Sequence, residues 1–337
     1  MTIEIGPVDP FDDAAVDAWW TVYAAALRAD RADDAVLWSL EETRQELQQA
    51  SAMFERHVFI ARLDGRPVGA AGLGLPLKDN LHLADIAVYV APEARRAGVG
   101  SALLAELETR AIARSRRTFL AETSWAASAP ADGTGHPGVE FGRRHGYALA
   151  LGDRESVLEL PVAEDLLDRL AEGAPDDGYV LRSWTGPVPE DIVTGWAELS
   201  SSLDTEAPMG DLDIEAATPD VAEIRESEEL VAAQGRTSFC VVALSSEGEV
   251  AAYSQLVVSG DDSSAYQWGT LVRRKDRGHR LGMRVKLENL RRLQQELPRT
   301  PRVVTYNAES NEHMLAVNVA LGFRPSGRLA ELQKRIG

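Results

Sequence analysis

The stretch Leu83-Ala-Asp-Ile-Ala-Val-Tyr-Val-Ala-Pro-Glu-Ala-Arg-Arg-Ala-Gly-Val-Gly-Ser-Ala-Leu-Leu104 decides the architecture of this 337-residue chain. It begins as an apolar, β-branched run, breaks at Pro92, passes through a turn with two glycines and continues as an apolar helix. A strand, a turn and a helix start in this order place several free backbone N–H groups at the positive end of a helix dipole. The order therefore predicts a binding site for phosphate groups.

The two glycines of this turn have separate tasks. Gly98 lacks a Cβ, so a diphosphate can approach the backbone there, and Gly100 lets the first helical turn lie close to the strand. Arg95 and Arg96 can add charge-assisted contacts to the phosphates. The turn is not a P-loop, because no Gly-Lys-Ser/Thr follows, and it lacks the G-x-G-x-x-G fingerprint of dinucleotide-binding folds.

The same pattern occurs a second time in the stretch Val272–Gly282, again between an apolar strand and a helix. The residue numbers of the motif arginines, Arg95 and Arg277, differ by 182 (277 − 95), a difference called here the repeat offset. The same offset relates Thr123 to Thr305, each at the end of the next apolar run. Because this register is kept across separate elements, we infer an internal duplication with two copies of one unit.

Val-x-Pro followed by Arg-x-x-Gly-x-Gly and an apolar helix resembles the acetyl-CoA motif of the GNAT N-acetyltransferases. The predicted order in each copy is strand, helices, three-strand meander, helix, strand, helix and strand, which is similar to the GNAT fold. Short helices that end in Gly146-Tyr147 and Gly322-Phe323 also match. The resemblance covers nearly the whole chain in two copies, as in the tandem GNAT proteins, a class that includes mycothiol synthase.

The resemblance implies an α/β chain with mixed sheets and two GNAT domains. We expect a first domain at 1–160, an acidic connector at 161–178 and a second domain at 179–337. Within the first domain, the apolar spacing predicts a helix from Asp12 to Arg28, followed by an acidic loop from Asp30 to Ala35. Alternating residues from Ala148 to Leu160 predict a closing hairpin.

Composition sets limits on function. Hydrophobic residues make up 45% and charged residues 26% of the chain, so it is globular. The net charge of −18 argues against a nucleic-acid partner. Cys240 is the only cysteine, so no intrachain disulfide and no cysteine metal cluster can form. Without a visible leader or membrane span, we expect a cytoplasmic protein that contacts no membrane and is a monomer or a homodimer.

The resemblance implies acetyl-CoA, or another acyl-CoA, as co-substrate, and no metal. It assigns the backbone donors for the pantetheine and the acyl carbonyl to Val88 and Val90 in the first copy and to Thr270 and Val272 in the second. The other residues that it assigns to CoA are Arg95, Arg96, Ala97, Gly98, Val99, Gly100, Ser101, Arg277, Gly278, His279, Arg280, Leu281, Gly282, Asn307 and Asn311. Arg280 stands where the first motif glycine belongs, so we expect it to crowd the diphosphate.

The family's usual general base is a Glu eleven residues before the motif Arg, and that spacing falls on Ala84 and Tyr266. Asp85, which alternation points to the other face, and Glu122 on the following strand are the candidate carboxylates. For both, an edge or surface charge is the competing interpretation, and Tyr266 is either catalytic or packing. The usual acid, a Tyr, is replaced by Gly142 and Asn318, so catalysis uses water or another group, or a domain is inactive.

Local roles compete with function at four further positions. Asn307 is predicted either to bind the pantetheine region or to end its strand, and Asn311 either to bind there or to cap the last helix. His136, in a glycine-rich loop, is expected to face solvent, whereas His279 lies within the second phosphate loop and can touch phosphate. Neither histidine has the sequence neighbours of a metal site.

The chemistry implied is acetyl transfer to the amine of a small acceptor. The loops between the first two helices of each copy are acidic, which predicts a cationic acceptor; their carboxylates are Asp30, Asp33 and Asp34 in the first copy and Glu206, Asp211, Asp213 and Glu215 in the second. The competing interpretation is that a chain of this charge has acidic loops everywhere. A catalytically degenerate acyl-CoA-binding module and an O-acyltransferase are the alternative functions.

Overall fold

The computed structural model describes residues 2–173, 177–261 and 263–337, and it leaves the side chains of Asp33 and Asp204 undescribed. Part of the predicted connector, and the predicted role of the Asp33 carboxylate, therefore lie outside the described residues. The chain divides into two compact units. The first unit contains Met1–Asp153, Gly210–Glu215 and Gly327–Gly337, and the second contains Arg154–Met209 and Ala216–Ser326.

The first half of the chain alternates helices with a meander of strands. Its elements are β1 (Ile3–Pro7), α1 (Asp13–Arg31), α2 (Leu40–Gln48), β2 (Phe54–Leu63), β3 (Arg66–Pro76), β4 (Leu83–Val90), α3 (Val99–Ala113), β5 (Thr118–Ala126), α4 (Pro137–Arg144) and β6 (Ala148–Glu159). The helix predicted to end at Arg28 extends to Arg31, so Asp30 lies in its last turn and not in a loop.

The second half repeats this order with two additional helices, one before its first strand and one short helix before its meander. Its elements are α5 (Glu164–Ala171), β7 (Val180–Thr185), α6 (Val193–Ser201), α7 (Leu203–Glu206), α8 (Val221–Ala233), β8 (Thr237–Leu244), β9 (Val250–Val258), β10 (Ala265–Val272), α9 (Leu281–Glu296), β11 (Arg302–Ala308), α10 (Glu312–Leu321) and β12 (Arg324–Arg335). Short 3₁₀ turns precede α3 and α9, at Pro92–Ala94 and Arg274–Asp276.

The sheet of the first unit has the strand order β1-β2-β3-β4-β5-β12. Its pairs are antiparallel except β4 with β5, which are parallel. The last strand enters from the far end of the sequence: Gly327 pairs with Ala126 and Arg335 with Thr118. Its buried Ala330 contributes to the core of this unit, so the unit depends on the chain's last residues.

The predicted closing hairpin at residues 148–160 is wrong. Ala148–Glu159 is one strand, and the segment around Gly152 stays extended. A hairpin would have placed one of its own strands beside β5. Instead β12 pairs with β5 and covers that edge of the sheet. For the same reason the compact units differ from the sequence ranges 1–160 and 179–337, because residues 327–337 pack with the first unit and residues 154–160 with the second.

The helix α1 shows why the first unit folds as it does. Asp12 caps it by accepting from the backbone N–H of Ala15 at 3.1 Å. Val16, Trp19 and Tyr23 then recur at three- and four-residue spacing and are buried against the sheet. The α1 helix is thereby fixed across β3 and β4, and its C-terminal turn lies beside the phosphate-type turn that follows β4.

The second unit has the strand order β11-β10-β9-β8-β7, again mixed, with β10 parallel to β11 and the other pairs antiparallel. A bulge at residues 267–269 interrupts the pairing of β10 with β9. Helix α9 packs Leu281 and Val285 on the middle strands and Leu287 and Leu290 on a separate cluster with Phe239. Each unit therefore has its own hydrophobic core.

Candidate functional site

The two parallel strands of each unit separate soon after they pair. In the first unit the pairing of β4 with β5 covers only Leu83–Asp85 with Thr118–Leu120, although the strands continue to Val90 and Ala126. In the second unit it covers only Ala265 and Tyr266 with Val303 and Val304. Each unit thus contains a V-shaped opening, called here the first and the second splay.

Two backbone donors of each splay can be placed by alternation. The N–H of Ala91 donates to the carbonyl of Val68, on β3's side of the strand, at 2.9 Å. Because successive N–H groups of a strand point to opposite sides, those of Val90 and Val88 point toward β5, into the first splay. The N–H of Arg273 donates to Ala251 in the same way, so Val272 and Thr270 point theirs into the second splay.

The turn after β4 has two residues in the left-handed region. Arg96 has φ +69° and Gly98 has φ +86°, and α3 begins immediately afterwards at Val99. The N–H groups of the first helical turn have no partners within the helix and point out of its positive end. A Cβ at Gly100 would meet the ring of Phe141 at 3.3 Å, so glycine lets α4 pack against the helix start.

The turn after β10 repeats this backbone with the residue types exchanged. Its left-handed residues are Gly278, with φ +92°, and Arg280, with φ +57°, each at the repeat offset from its counterpart in the first turn. The side chain of Arg280 leaves the turn and donates to the carbonyls of Glu172 and Leu170, at 2.7 and 3.0 Å. The expectation that Arg280 crowds a diphosphate is therefore wrong for its side chain, which caps the end of α5.

The motif arginines bind protein groups and not open solvent. Arg95 donates to both carboxylate oxygens of Asp30, at 2.8 and 3.0 Å, and its Nε lies 3.3 Å from the carbonyl oxygen of Val90. Arg277 repeats this arrangement with the Val272 carbonyl at 3.3 Å and Glu206 at 2.7 Å. Each guanidinium ties the end of a strand to an acidic residue of a helix, in the last turn of α1 for Arg95 and in α7 for Arg277, leaving the backbone N–H groups as the donors for a phosphate.

His279 also has a protein partner. Its Nδ1 lies 2.7 Å from a carboxylate oxygen of Asp177, whose other oxygen accepts from Arg284 at 3.1 Å. Burial raises the pKa of Asp177, but the hydrogen bonds from His279 and Arg284 outweigh it and hold the pKa below its usual value. The second turn therefore has its histidine and both its arginines engaged with neighbouring elements of the second unit.

Asp85 and Glu122 meet on one face of the first splay. Asp85 pairs in register with Leu120, so strand alternation places Glu122 on the same face. The surrounding protein raises the pKa of Asp85 to about 6, and the charge of Glu122 contributes to this rise. The pKa of Glu122 is raised by the same surroundings. Both residues are nevertheless exposed to solvent, as expected for the competing interpretation of a surface charge.

Asp153, on β6, belongs to the same set and was not predicted. Desolvation and the charge of Glu122 raise its pKa to about 6, and its Oδ1 is buried without a hydrogen-bond partner among the described residues. Ala84, eleven residues before Arg95, is fully buried in the core. The position that the family spacing selects for the general base therefore has no access to solvent in this chain. Asp85, the next residue, points to the opposite face of the strand, where Glu122 also lies.

Tyr266 belongs to the second unit, where it pairs in register with Val304 and is partly buried. Asp85 and Glu122 belong to the first unit, so the structure does not bring the three candidate catalytic residues into one unit. Gly142, at the usual position of the acid, packs against Leu332, and a Cβ there would lie 2.7 Å from that side chain. Packing therefore requires a small residue at this position.

The asparagines of the second unit form one polar group. Asn318 is 2% exposed and donates to the side-chain oxygen of Asn307 at 2.6 Å. Asn311 caps α10 by accepting from the N–H of Met314 at 3.2 Å. Within the described residues, Asn318 Oδ1 and Thr270 Oγ1 are buried without partners. A ligand arm that carries amide groups, such as pantetheine, fits these orphaned atoms chemically.

The acidic loops are held by internal contacts. Asp213 packs in the first unit, where its carboxylate accepts from Thr118 at 3.0 Å and lies 3.3 Å from Arg335. The N–H of Glu215 donates to the side chain of Asn80 at 2.7 Å. Three of the predicted carboxylates, those of Asp30, Asp213 and Glu206, therefore have structural partners, which reduces their part in attracting a cationic molecule.

The sequence predicted that His136 faces solvent, and this prediction is wrong for its ring nitrogens. Neither of its ring nitrogens is accessible, and neither has a hydrogen-bond partner among the described residues. The ring lies against that of Trp125, with centroids 5.6 Å apart. Burial lowers the pKa of His136, so the ring is neutral at physiological pH.

Comparison with known proteins agrees with this architecture. Residues 19–129 match the model of the acetyltransferase (GNAT) family. A tandem GNAT protein from the clavulanic acid biosynthesis pathway, solved without AcCoA, is 28% identical, with a TM-score of 0.80 over 100% of this chain and 99% of that one. A GCN5-related N-acetyltransferase from Sphaerobacter thermophilus, 15% identical, has a TM-score of 0.68 over 99% and 96%. No curated protein gives a significant match.

The chain has the tandem GNAT fold along its whole length, with one unit duplicated, as the sequence predicted. The part that matches the acetyltransferase (GNAT) family model is residues 19–129. Within the described ranges, no helix is long and apolar enough to cross a membrane. Those ranges also contain no group of three or more His, Cys, Asp or Glu side chains placed to hold a metal ion.

Proposed function

We propose that the chain is an acetyl-CoA-dependent N-acetyltransferase whose catalytic site is the first splay. The observation that carries this proposal is the placement of Asp85 and Glu122 on one face, at the point where β4 and β5 separate. Both have raised pKa values, and the N–H groups of Val88 and Val90 point into the same opening. Perturbed carboxylates beside preorganised donors are typical of catalytic sites.

The first turn is proposed to hold the diphosphate of CoA. The N–H groups at the start of α3, on Val99, Gly100 and Ser101, point toward the ligand, and the helix dipole favours negative charge there. Arg96 is exposed beside them and can add a charge-assisted contact. Arg95 acts indirectly, because its hydrogen bonds to Asp30 fix the path of the turn.

The acyl carbonyl is proposed to accept a hydrogen bond from Val88 N–H. Donors fixed in a strand need no rearrangement when negative charge develops on that oxygen. The carboxylate pair then acts on the amine. The raised pKa values of Asp85 and Glu122 make each carboxylate a better proton acceptor, and the ionised one accepts a proton from the attacking amine.

Protonation of the leaving thiolate is assigned to the same pair. Gly142 has no side chain to donate a proton, and the tight contact with Leu332 prevents a larger residue there without repacking. The proton taken from the amine by Asp85 or Glu122 can instead be returned to the thiolate sulfur. An acceptor that binds as an ammonium first loses one proton through the pair to solvent, and the proton that the neutral amine loses on attack goes to the sulfur, so both carboxylates end in their starting state.

The carboxylates beside the first splay support a cationic acceptor more strongly than the acidic loops between the first two helices of each copy do. Besides burial, the charge of Glu122 raises the pKa of both Asp85 and Asp153, so the three carboxyl groups form one acidic cluster. A protonated amine that binds there gains Coulomb energy and is close to the group that deprotonates it. Amino sugars, polyamines and amino-acid-derived amines fit this description.

The second unit is proposed to be non-catalytic. The repeat offset takes Asp85 to Gln267, and the pairing registers of the parallel strands take Glu122 to Asn307, neither of which can act as a base. Gln267 is engaged in the bulge of β10, where its side-chain nitrogen donates to the carbonyl of Gln255 at 2.7 Å. Binding of an acyl-CoA or a structural role remains open to this unit, because its backbone donors and orphaned amides are in place.

Calorimetric titration with CoA tests the first turn. Gly98→Asp places a carboxylate where the diphosphate is proposed to lie; a Cβ there meets no atom closer than 3.9 Å, but the φ of +86° strains any residue other than glycine, so the folded fraction of the variant is measured alongside the titration. We expect at least a hundredfold weaker binding at one class of sites, roughly 3 kcal/mol. The matched control is Arg280→Asp, which adds the same carboxylate to the second turn and should leave that class unchanged.

A further inference from the structure

A short segment of the second copy folds into the first unit. It is Gly210–Glu215, called here the strap, and in the sequence it belongs to the acidic loop between the first two helices of the second copy. The N–H of Asp211 donates to the carbonyl of Ala150 on β6 at 2.9 Å. Gln333 on β12 accepts from the N–H of Asp213 at 2.7 Å and donates to the carbonyl of Asp211 at 3.0 Å. The strap is therefore hydrogen-bonded to two strands of the first half's sheet.

The other end of the strap is fixed just before β4. The N–H of Glu215 donates to the side-chain oxygen of Asn80 at 2.7 Å, and the amide of Asn80 donates back to the carbonyl of Glu215 at 3.3 Å. Nε2 of His82 lies 2.9 Å from the carbonyl oxygen of Asp213. Because hydrogen bonds hold it at both ends, the strap has a defined path across this sheet.

The strap crosses the face of the sheet that carries the candidate catalytic carboxylates. The carboxylate of Asp213 accepts from the hydroxyl of Thr118 at 3.0 Å. Thr118, Leu120 and Glu122 alternate along β5 without a bulge, so their side chains share one face. Asp85 pairs in register with Leu120 and belongs to the same face. The strap thus lies two residues along the strand, about 7 Å, from the level of Asp85.

Helix α1 covers the same face at its other end. Tyr89, four residues after Asp85 on β4, packs its ring edge to face against that of Tyr23 on α1, with centroids 4.9 Å apart. Between these two coverings, Asp85 and Glu122 are exposed. The uncovered part of the face therefore has α1 as one wall and the strap as the other, and Asp85 is nearer to the strap.

We propose that the strap is the end wall of the acceptor site in the first unit and limits how far an acceptor can extend from its reacting amine. This inference rests on the proposed function, since it needs an amine bound at Asp85 and Glu122. A compact cationic amine fits beside these carboxylates, whereas a long chain that runs toward Thr118 meets the strap. A segment of the copy proposed to be non-catalytic thereby contributes to the specificity of the catalytic one.

Two variants displace the strap to different degrees. Gly210 has φ +55°, and a Cβ there would lie 2.2 Å from the carbonyl oxygen of Ala150, so in Gly210→Ala the strap cannot keep its position. Gln333→Ala is milder and removes two of the hydrogen bonds that hold the strap.

The measurement is thiol release from acetyl-CoA with linear diamines from ethylenediamine to octanediamine. In both variants we expect kcat/KM for the longest diamine, relative to the shortest, to rise about tenfold, because a size limit in a binding pocket is removed. The rise should come from a lower KM for the long diamine, and the KM for acetyl-CoA should stay unchanged.

Gly248→Ala is the matched control. Gly248 also has a left-handed backbone, with φ +80°, but a Cβ there meets no atom within 4 Å, so this change strains the turn between β8 and β9 and leaves the strap in place. Its diamine ratio should equal that of wild type. An unchanged ratio in both strap variants, or an equal loss of activity with short and long diamines, overturns the inference. Absence of release with every diamine in wild type contradicts the proposed function itself, which is a different result.

Discussion

Asp30 and Arg95 form a two-bond ion pair, at 2.8 and 3.0 Å, that joins the last turn of α1 to the turn proposed to bind the diphosphate. Both side chains are about three-quarters buried, with 26% and 28% exposure. Asp30, in the last turn of α1, therefore stabilises the turn after β4, and the shape of that turn depends on α1.

Removing the charge of Asp30 should loosen the turn. In Asp30→Asn, Arg95 loses its charge-assisted partner, so we expect the free energy of unfolding to fall by about 1–3 kcal/mol. CoA affinity in the first unit should fall roughly tenfold. Urea denaturation and calorimetry measure the two effects. Glu206→Gln breaks the corresponding pair with Arg277 and should leave CoA binding in the first unit intact.

The carboxylate pair predicts a pH profile. The base must be ionised, and the pKa of Asp85 is about 6, so kcat/KM should rise between about pH 5 and pH 7 and then level off. In Glu122→Gln the neighbouring charge is gone, the pKa of Asp85 falls, and the rising limb should move to lower pH. Asp85→Asn should lower kcat/KM by two or more orders of magnitude.

Asp153→Asn is the matched control for this profile. The charge of Asp153 makes no contribution to the raised pKa of Asp85, so its removal should leave the rising limb where it is. A limb that stays in place in Glu122→Gln, together with full activity in Asp85→Asn, would remove both carboxylates from the proton-transfer step.

The last strand should be essential to the first unit. Leu332 is 3% exposed in the core that β12 completes, far from that core's other residues in sequence. Leu332→Ala should lower the free energy of unfolding by about 2–5 kcal/mol, as buried Leu→Ala changes do. Exposed Leu149→Ala, on β6, is the control and should cost under about 0.5 kcal/mol. Equal urea midpoints for the two variants would contradict this packing.

Lys286 should destabilise the second unit at neutral pH. It is 2% exposed and packs on Phe323, and burial lowers its pKa to about 7. Below pH 7 the folded protein contains a buried charge, and above about pH 10.5 both folded and unfolded chains are neutral. Lys286→Leu should therefore raise the free energy of unfolding by a few kcal/mol at or below pH 7, and this gain should shrink as pH rises.

The first copy supplies the reverse experiment. Leu104, the counterpart of Lys286 by the repeat offset, is 4% exposed in the first core. Leu104→Lys should lower the free energy of unfolding at pH 7 and recover part of the loss at higher pH. A Lys286→Leu variant whose stability gain does not change with pH would show that Lys286 is not buried in charged form.

Local features were predictable from the sequence because they depend on neighbouring residues. The turns at residues 95–100 and 277–282, the helices that follow them and the repeat offset all follow from spacing within short stretches. The left-handed positions are an example: Gly98 and Gly278 mark one in each turn, and the offset identifies Arg280 and Arg96 as the others.

Long-range placement was not predictable by the same reasoning. The sequence near residue 330 does not indicate that β12 pairs with β5. The sequence near Asp153 does not indicate that the charge of Glu122 raises the pKa of Asp153. The loss of solvent around His136 depends on Trp125 and on residues of α1 and the turn after β4, which only the fold brings near. Sequence spacing even pointed to buried Ala84, one residue from Asp85, because spacing does not determine which face is open.

The most direct test of the central claim is the rate of thiol release from acetyl-CoA with a panel of cationic amines, measured for wild type, Gly98→Asp and Arg280→Asp. A first-unit catalytic site predicts amine-dependent release in wild type, its loss in Gly98→Asp at substrate levels near the wild-type KM, and its retention in Arg280→Asp. Release that survives in Gly98→Asp and disappears in Arg280→Asp would contradict the account and place the chemistry in the second unit.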